Sequence, residues 1–135
     1  MKLRNIIILV LALTVGFAQA AELKWAKDLP SAMKTAKASK KMIMVDFTAA
    51  WCVNCHKLDR TTYKDAGVIA SLKNVVPVKI DWDKNQALAK KYKVEALPVI
   101  LFIDANGKEV GRISKYVEAK EFVKTATPIL KKGKK

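Results

Sequence analysis

The chain has 135 residues, of which 51% are hydrophobic, and its formal net charge at pH 7 is +14. This length suits one domain with a single hydrophobic core, and the composition excludes a low-complexity or disordered chain. A charge of this size is compatible with binding to nucleic acid, with attraction to an anionic membrane surface, or simply with high solubility.

The first 20 residues have the features of a secretory signal peptide. Lys2 and Arg4 precede an apolar run from Ile6 to Ala18, and Ala18-Gln19-Ala20 forms an A-x-A cleavage site. The alternative is an uncleaved membrane anchor, but the run has only 13 residues. Roughly 18–20 apolar residues are needed to span a bilayer. We therefore predict cleavage after Ala20 and an exported, periplasmic or otherwise extracytoplasmic domain of residues 21–135.

Removal of residues 1–20 lowers the net charge to +12, because Lys2 and Arg4 are the charged residues of that segment. An exported protein does not meet nucleic acid, so we predict no nucleic-acid partner. The simplest interpretation is a solvated basic surface, and the alternative is electrostatic contact with anionic membrane headgroups or with an acidic partner. Residues 131–135 are predicted to form a flexible basic tail.

The first half of the domain alternates between strand and helix patterns. A lead-in around Trp25 is predicted to add an edge strand, and a helix is predicted over residues 30–38, with a proline near its first turn. The almost continuous apolar run of residues 41–48 predicts a buried strand. A helix then opens at the cysteines, and residues Thr61, Thr62 and Gly67 divide the region up to about residue 72 into two helical pieces.

The second half supplies the rest of a mixed sheet. Strands are predicted over residues 75–80, 98–103 and 109–114, with Pro77 weakening the pairing of the first. A helix is predicted over residues 83–92, a hairpin turn over 104–107 and a last helix over 118–130, which Pro128 should kink or end. Strands separated by helices pair in parallel and the hairpin adds an antiparallel pair, so the fold class is α/β with helices on both faces.

Both cysteines lie in the segment Trp51-Cys52-Val53-Asn54-Cys55, between the first strand and the next helix. Free backbone N–H groups and the helix dipole favour a thiolate at Cys52 there. Cys55 lies one turn further along the same face, so one sulfur is predicted to be exposed and acidified and the other shielded. A disulfide across two residues adds little stability, which favours thiol–disulfide exchange over a structural role.

His56 allows a different interpretation, because Cys-x-x-Cys-His is also the pattern of c-type haem attachment. Such a cytochrome usually takes a Met or a second His downstream as its other axial ligand. His56 is the only histidine, however, and all four methionines precede the motif. One histidine and two cysteines also leave a four-ligand structural zinc site incomplete. We predict no cofactor and no metal, with His56 either tuning the Cys52 thiolate or lying exposed on the helix.

The chain resembles the thioredoxin superfamily over residues 22–130. The residues that carry the resemblance are Asp46, Trp51, Cys52, Cys55, Lys79, Leu97 and Pro98. The resemblance implies the thioredoxin fold, a redox disulfide between Cys52 and Cys55, and a cis peptide bond at Leu97–Pro98 that faces it. An ordinary trans proline at the start of a strand is the alternative for Pro98.

Within the superfamily, the stretch from Phe47 to Cys55 is most similar to the periplasmic thioredoxin-like domain of DsbD-type reductant transporters. This likeness implies that Cys52 is the nucleophile, that Cys55 resolves the mixed disulfide, and that Asp46 accepts a proton from Cys55. Lys79 would tune Asp46, and a satisfied buried ion pair without a chemical role is the alternative. Trp51 would pack over the motif, and with Leu97 and Pro98 it would contact the substrate.

The implied activity is the reduction of protein disulfides, with electrons from a separate membrane reductant transporter. A thiol oxidase or isomerase and a non-catalytic binding or chaperone-like module are the alternatives. The chain departs from thioredoxin in having Val53-Asn54 between the cysteines and His56 where a lysine is common, so thioredoxin's potential does not transfer to it. A monomer is sufficient for this activity.

Overall fold

A computed structural model describes residues 20–134 of the chain. The predicted signal peptide therefore falls, except for Ala20, outside the described residues. In the part that is described, no helix is long and apolar enough to cross a membrane.

Residues 20–134 contain one four-stranded sheet. Its strands are β1 (Met42–Thr48), β2 (Val75–Asp81), β3 (Val99–Ile103) and β4 (Glu109–Ile113), arranged in the order β2-β1-β3-β4. β1 pairs in parallel with β2 and antiparallel with β3, and β3 pairs antiparallel with β4. The predicted mixed α/β architecture is therefore confirmed.

Helices cover both faces of this sheet. They are α1 (Leu29–Ser39), α2 (Val53–Arg60), α3 (Ala66–Ser71), α4 (Gln86–Lys91) and α5 (Ala119–Lys132), with a 3-10 turn over Thr62–Lys64. On one face α1 and α4 pack on a core that includes Phe47 and Leu101. On the other face α2, α3 and α5 pack on a core that includes Met44, Phe102 and Phe122. Both faces of β1 are thus covered, which explains its almost continuous apolar run.

Pro77 occupies a position in β2 at which the hydrogen bonds between β1 and β2 are preserved. It lies opposite Met44 of β1, and its carbonyl accepts a hydrogen bond of 2.8 Å from the backbone N–H of Ala26. The polar backbone groups of Pro77 therefore point away from β1, so the missing N–H removes nothing from the β1–β2 ladder.

Three predicted elements differ in extent from the structure. The lead-in forms a single bridge between Ala26 and Val78 rather than a strand. The fourth helix begins at Gln86, because the Asp81 side chain accepts the Lys84 N–H and holds residues 81–84 in a turn. The last helix does not end at Pro128 but continues to Lys132. A proline there removes one backbone hydrogen bond, and core packing on both sides of it sustains the helix.

Candidate active site

The two cysteines lie at the N-terminus of α2 and form a disulfide. Cys52 is the N-cap residue, and its sulfur accepts a hydrogen bond of 3.2 Å from the Cys55 backbone N–H. After reduction, the same N–H and the positive end of the helix dipole would stabilise a negative charge on the Cys52 sulfur.

The exposure of the cysteines departs from the sequence prediction. Cys52 is 5% exposed and Cys55 is 1% exposed, so the expectation of an open Cys52 is wrong for the disulfide form. The reason is a small apolar cluster in which Ala49 and Leu97 pack against both cysteines. A substrate disulfide would have to approach Cys52 along the edge of this cluster.

Two large apolar side chains beside the disulfide are open to solvent. Trp51 is 60% exposed and Val53 is 73% exposed. The indole N–H of Trp51 donates to the Asp83 carboxylate at 3.0 Å, and its ring meets Trp82 edge to face with 6.1 Å between centroids. These contacts fix Trp51 to Asp83 and Trp82 and leave an apolar surface next to the cysteines, while the packing of Trp51 over the motif stays a prediction.

The segment before β3 places the Leu97 side chain against the disulfide. The Leu97–Pro98 peptide bond is cis, as predicted, and Pro98 is buried. The half-buried Leu97 side chain packs on the cluster of Ala49, Cys52 and Cys55. The structure therefore brings Trp51 and Leu97, which lie far apart in the sequence, to the surroundings of one disulfide.

Asp46 is a buried carboxylate in β1, directly opposite Lys79 in β2. It is 1% exposed, and its Oδ2 accepts a hydrogen bond of 2.8 Å from the Lys79 ammonium. Its Oδ1 has no hydrogen-bond partner among the described residues. Burial raises the pKa of Asp46 to about 6, although the positive charge of Lys79 opposes the rise.

Asp46 lies on the side of the sheet that α2 covers. Successive residues of a strand face opposite sides, so Asp46 shares a face with Met44, which packs in the same core as Leu58 of α2. The Cys55 sulfur lies 4.0 Å from the carbonyl oxygen of Phe47, the residue after Asp46. The Cys55 sulfur therefore lies against the backbone of the strand that carries Asp46, on the side of the sheet that α2 covers.

Lys79 also forms an ion pair with Asp59 of α2, a residue that sequence reasoning missed. Asp59 follows Cys55 by four residues and so lies on the same side of the helix, which is the signal that would have found it. Burial lowers the pKa of Lys79, but the two carboxylates outweigh burial and raise it. The ammonium thus joins a buried carboxylate to one on the helix that carries the cysteines.

Two aromatic rings surround the Lys79 ammonium. The Trp25 ring centroid lies 4.2 Å from the nitrogen and the Tyr63 centroid 5.2 Å from it. The Tyr63 hydroxyl is buried without a hydrogen-bond partner among residues 20–134, and burial, followed by the charge of Asp46, raises its pKa well above the usual value. A cavity of about 240 Å³ reaches Lys79 and Asp59 from the surface. Lys79 therefore lines this cavity and also donates a hydrogen bond to the buried Asp46.

His56 lies half-buried on the first turn of α2. Its Nε2 is 2.8 Å from the carbonyl oxygen of Ala50, so the ring N–H donates to the loop that precedes Cys52. An effect of His56 on the Cys52 thiolate stays a prediction. Throughout residues 20–134, no three His, Cys, Asp or Glu side chains are grouped to hold a metal ion.

Comparisons with known proteins agree with this geometry. A family model described as a thioredoxin-like domain matches residues 29–127. The thiol:disulfide interchange protein DsbD of Pseudoalteromonas atlantica is 34% identical over 109 residues, which cover 76% of this chain and 18% of that protein. The chain therefore spans less than a fifth of the length of this relative.

Solved structures share the fold. A thioredoxin from Thermus thermophilus matches with a TM-score of 0.75 and 28% identity, over 84% of this chain and 91% of that one. A structure described as DsbH oxidoreductase matches with a TM-score of 0.73 and 27% identity, over 83% of this chain and 87% of that one.

Proposed function

The chain belongs to the thioredoxin-like family of thiol–disulfide oxidoreductases, and from this premise we propose that it reduces disulfide bonds in other exported proteins. The observation that carries the proposal is the position of Cys52, whose sulfur caps α2 and accepts the Cys55 N–H. A sulfur in this position is favoured as a thiolate, which is the species that attacks disulfides.

In the proposed reaction, the Cys52 thiolate attacks one sulfur of a substrate disulfide. A bond forms between Cys52 and that sulfur, and the other substrate sulfur leaves as a thiolate. Cys55 then loses its proton and attacks the Cys52 sulfur, which releases the second substrate thiolate. The substrate gains two electrons, and the protein is left with the Cys52–Cys55 disulfide.

Asp46 is proposed to take the proton from Cys55 in the second step. A carboxylate with a pKa of about 6 is largely ionised at neutral pH and still basic enough to accept a proton from a nearby thiol. Lys79 would tune this acid, because it holds one carboxylate oxygen and leaves the other without a partner among the described residues. Asp59 enters the proposal as the second carboxylate on the same ammonium.

Trp51, Leu97 and Pro98 are proposed to contact the substrate. Support for this comes from the exposure of Trp51 and from the packing of Leu97 against the cysteines. An extended substrate segment lying across these side chains would bring its disulfide to the edge of the cluster at which Cys52 is reached.

The electrons are proposed to come from a membrane reductant transporter, and the reaction to take place outside the cytoplasm. Support comes from the signal-peptide pattern of residues 1–20 and from the likeness to DsbD proteins. The protein is proposed to act as a monomer, because one chain supplies both cysteines and the Asp46–Lys79 pair that the proposed reaction uses.

The test is reduction of insulin disulfides by residues 21–135, with dithiothreitol as the electron source. Cys52→Ser is expected to abolish activity, whereas Cys55→Ser is expected to form a mixed disulfide with a substrate peptide and to stop there. Equal activity in Cys52→Ser and the unmodified domain would contradict the proposal and favour a non-catalytic binding module. A mixed disulfide formed by Cys55 in the Cys52→Ser variant would reverse the two roles.

The direction of electron flow is tested by the reduction potential of the Cys52–Cys55 pair. Equilibration with thiol buffers should give a value near that of thioredoxin, roughly −270 mV, if the protein is a reductase. A value near roughly −120 mV, as in strong oxidants, would instead make it an oxidase.

A further inference from the structure

A cavity of about 690 Å³ lies at the end of the sheet opposite the disulfide. Its walls include Met42 and Val75, where β1 and β2 begin. From Met42 to Thr48, β1 extends about 20 Å towards the cysteines, at about 3.3 Å per residue. The cavity and the redox site therefore occupy opposite ends of the molecule.

The lining of this cavity combines an apolar floor with a cationic rim. Met42, Val75 and Leu130 supply the floor. The rim carries five lysines, and no carboxylate of the described residues lines it; the lysines are Lys40, Lys41, Lys73, Lys131 and Lys134. In residues 20–134, none of these lysines is in an ion pair.

The helix dipoles offset only part of the positive charge of these lysines. The C-terminal ends of α1, α3 and α5 all meet at the cavity, and each helix end carries about half a negative charge. Three such ends amount to about 1.5 negative charges, whereas the five lysines bring five positive ones. A surplus of more than three positive charges is left around an apolar floor.

We propose that this cavity docks the protein on an anionic phospholipid surface. Headgroup phosphates would contact the lysine rim, and the glycerol and upper acyl region would cover the apolar floor. Clusters of four to eight basic residues are typical of sites for anionic lipid, with a contribution of about 1 kcal/mol per Lys near the surface. This docking is independent of the redox chemistry proposed for the opposite end.

The experiment is co-sedimentation of residues 21–135 with lipid vesicles. All the helices and strands of the described fold lie between Leu29 and Lys132, so this segment contains them, and it lacks the apolar run of residues 6–18 that would itself enter lipid. We expect binding to vesicles of mixed phosphatidylcholine and phosphatidylglycerol at about 0.1 M salt, and its loss at about 1 M salt. Absence of binding at the lower salt would overturn the proposal.

Two charge-matched triple variants locate the binding. The rim variant has Gln in place of Lys73, Lys131 and Lys134. The control variant has Gln in place of three exposed lysines that lie outside the cavity, Lys90, Lys108 and Lys120. A contribution of about 1 kcal/mol per lysine corresponds to about a fivefold change in the membrane partition coefficient. Loss of three rim lysines should therefore lower that coefficient about 100-fold. The control should lose far less. Equal losses would mean that binding follows total charge, and the proposal would be wrong.

A second pair of variants tests the cavity itself. Ala70→Glu places a carboxylate in the lining, and Ala87→Glu places one on α4 as a control; both alanines are exposed and both changes alter the net charge equally. Only Ala70→Glu should abolish vesicle binding, with thermal unfolding showing that both variants fold. Soluble glycerol phosphate should not release the bound protein. Its release by that compound would mean that the cavity takes a free organic phosphate, and membrane docking would be overturned.

Discussion

Asp46 is a carboxylate in a setting that strongly disfavours its charged form. It is 1% exposed, and the Lys79 ammonium donates a hydrogen bond to one of its oxygens. Its pKa in the folded protein is about 6, compared with an ordinary value of 3.8. Between pH 3.8 and about 6, the Asp46 carboxyl is therefore protonated in the folded state but ionised in the unfolded chain. Preferential protonation of Asp46 thus stabilises the folded state. This contribution to the free energy of unfolding is fully present below pH 3.8 and is lost as the pH rises through 6.

The first prediction concerns Asp46→Asn, which imitates the neutral carboxyl. The difference between 3.8 and about 6 corresponds to about 3 kcal/mol as an upper bound. At pH 7.5 the variant should gain about 1–3 kcal/mol in free energy of unfolding, and near pH 4 almost none. Guanidinium unfolding of the oxidised proteins at both pH values measures this. A gain of the same size at both would show that Asp46 is not the titrating group.

The second prediction separates the two neighbours of Asp46 by the sign of their effects. Lys79 lowers the pKa of Asp46 and Asp59 raises it. Lys79→Met should therefore move the pKa of Asp46 above 6, and Asp59→Asn should move it below 6. Carboxyl chemical shifts of Asp46, followed by NMR during a pH titration, give both values. Shifts in the same direction would contradict the arrangement in which one ammonium serves both carboxylates.

At the scale of elements, the strand–helix junction was the part most accessible from sequence. The apolar run of residues 41–48 requires a strand covered on both faces, and a helix opening at Cys52 follows from the change of pattern after it. The direct pairing of Asp46 with Lys79 depends on strand register, and sequence reasoning reached it through the family resemblance. The burial of Cys52 was inaccessible, because Leu97 comes from a segment 45 residues away in the chain.

Local side-chain contacts explain the remaining differences. The start of the fourth helix depends on Asp81 and Asn85, whose side chains bond to nearby backbone groups and favour a turn over a helix. Asp59 was missed because its pattern is that of an ordinary surface acid on a helix. Its partner, Lys79, lies on a strand that is remote in sequence, and only the packing of α2 on the sheet brings the two together.

The third prediction belongs to α2. Cys52→Ser and Cys52→Ala both remove the disulfide, whose short loop stabilises the fold by about 1–2 kcal/mol. Ser retains an acceptor for the Cys55 N–H and Ala does not, so Ala should be about 1 kcal/mol less stable than Ser. Both variants should keep the native circular dichroism spectrum. Equal stability of the two in denaturant unfolding would mean that the N-cap bond contributes nothing.

On the scale of the whole molecule, the two ends of the sheet differ in chemistry. One end carries the disulfide with the exposed Trp51 and Val53, and the other carries the lysine-rimmed cavity. If the cavity docks on lipid as proposed, the disulfide is directed away from the membrane and towards the aqueous phase. Docking would then concentrate the protein at the membrane without covering the surface through which it meets its substrates.

The fourth prediction tests this orientation through the rate at which dithiothreitol reduces the Cys52–Cys55 disulfide. An anionic surface slows attack by thiolates within its electrostatic reach, which is about 10 Å at 0.1 M salt. The disulfide of docked protein would lie about 20 Å from the lipid, the length of β1, so anionic vesicles should change the rate by less than about twofold. The Ala70→Glu variant, which should not bind, gives the rate of free protein with vesicles present. A rate that falls several-fold for the unmodified domain alone would place the redox end against the membrane and would refute the orientation.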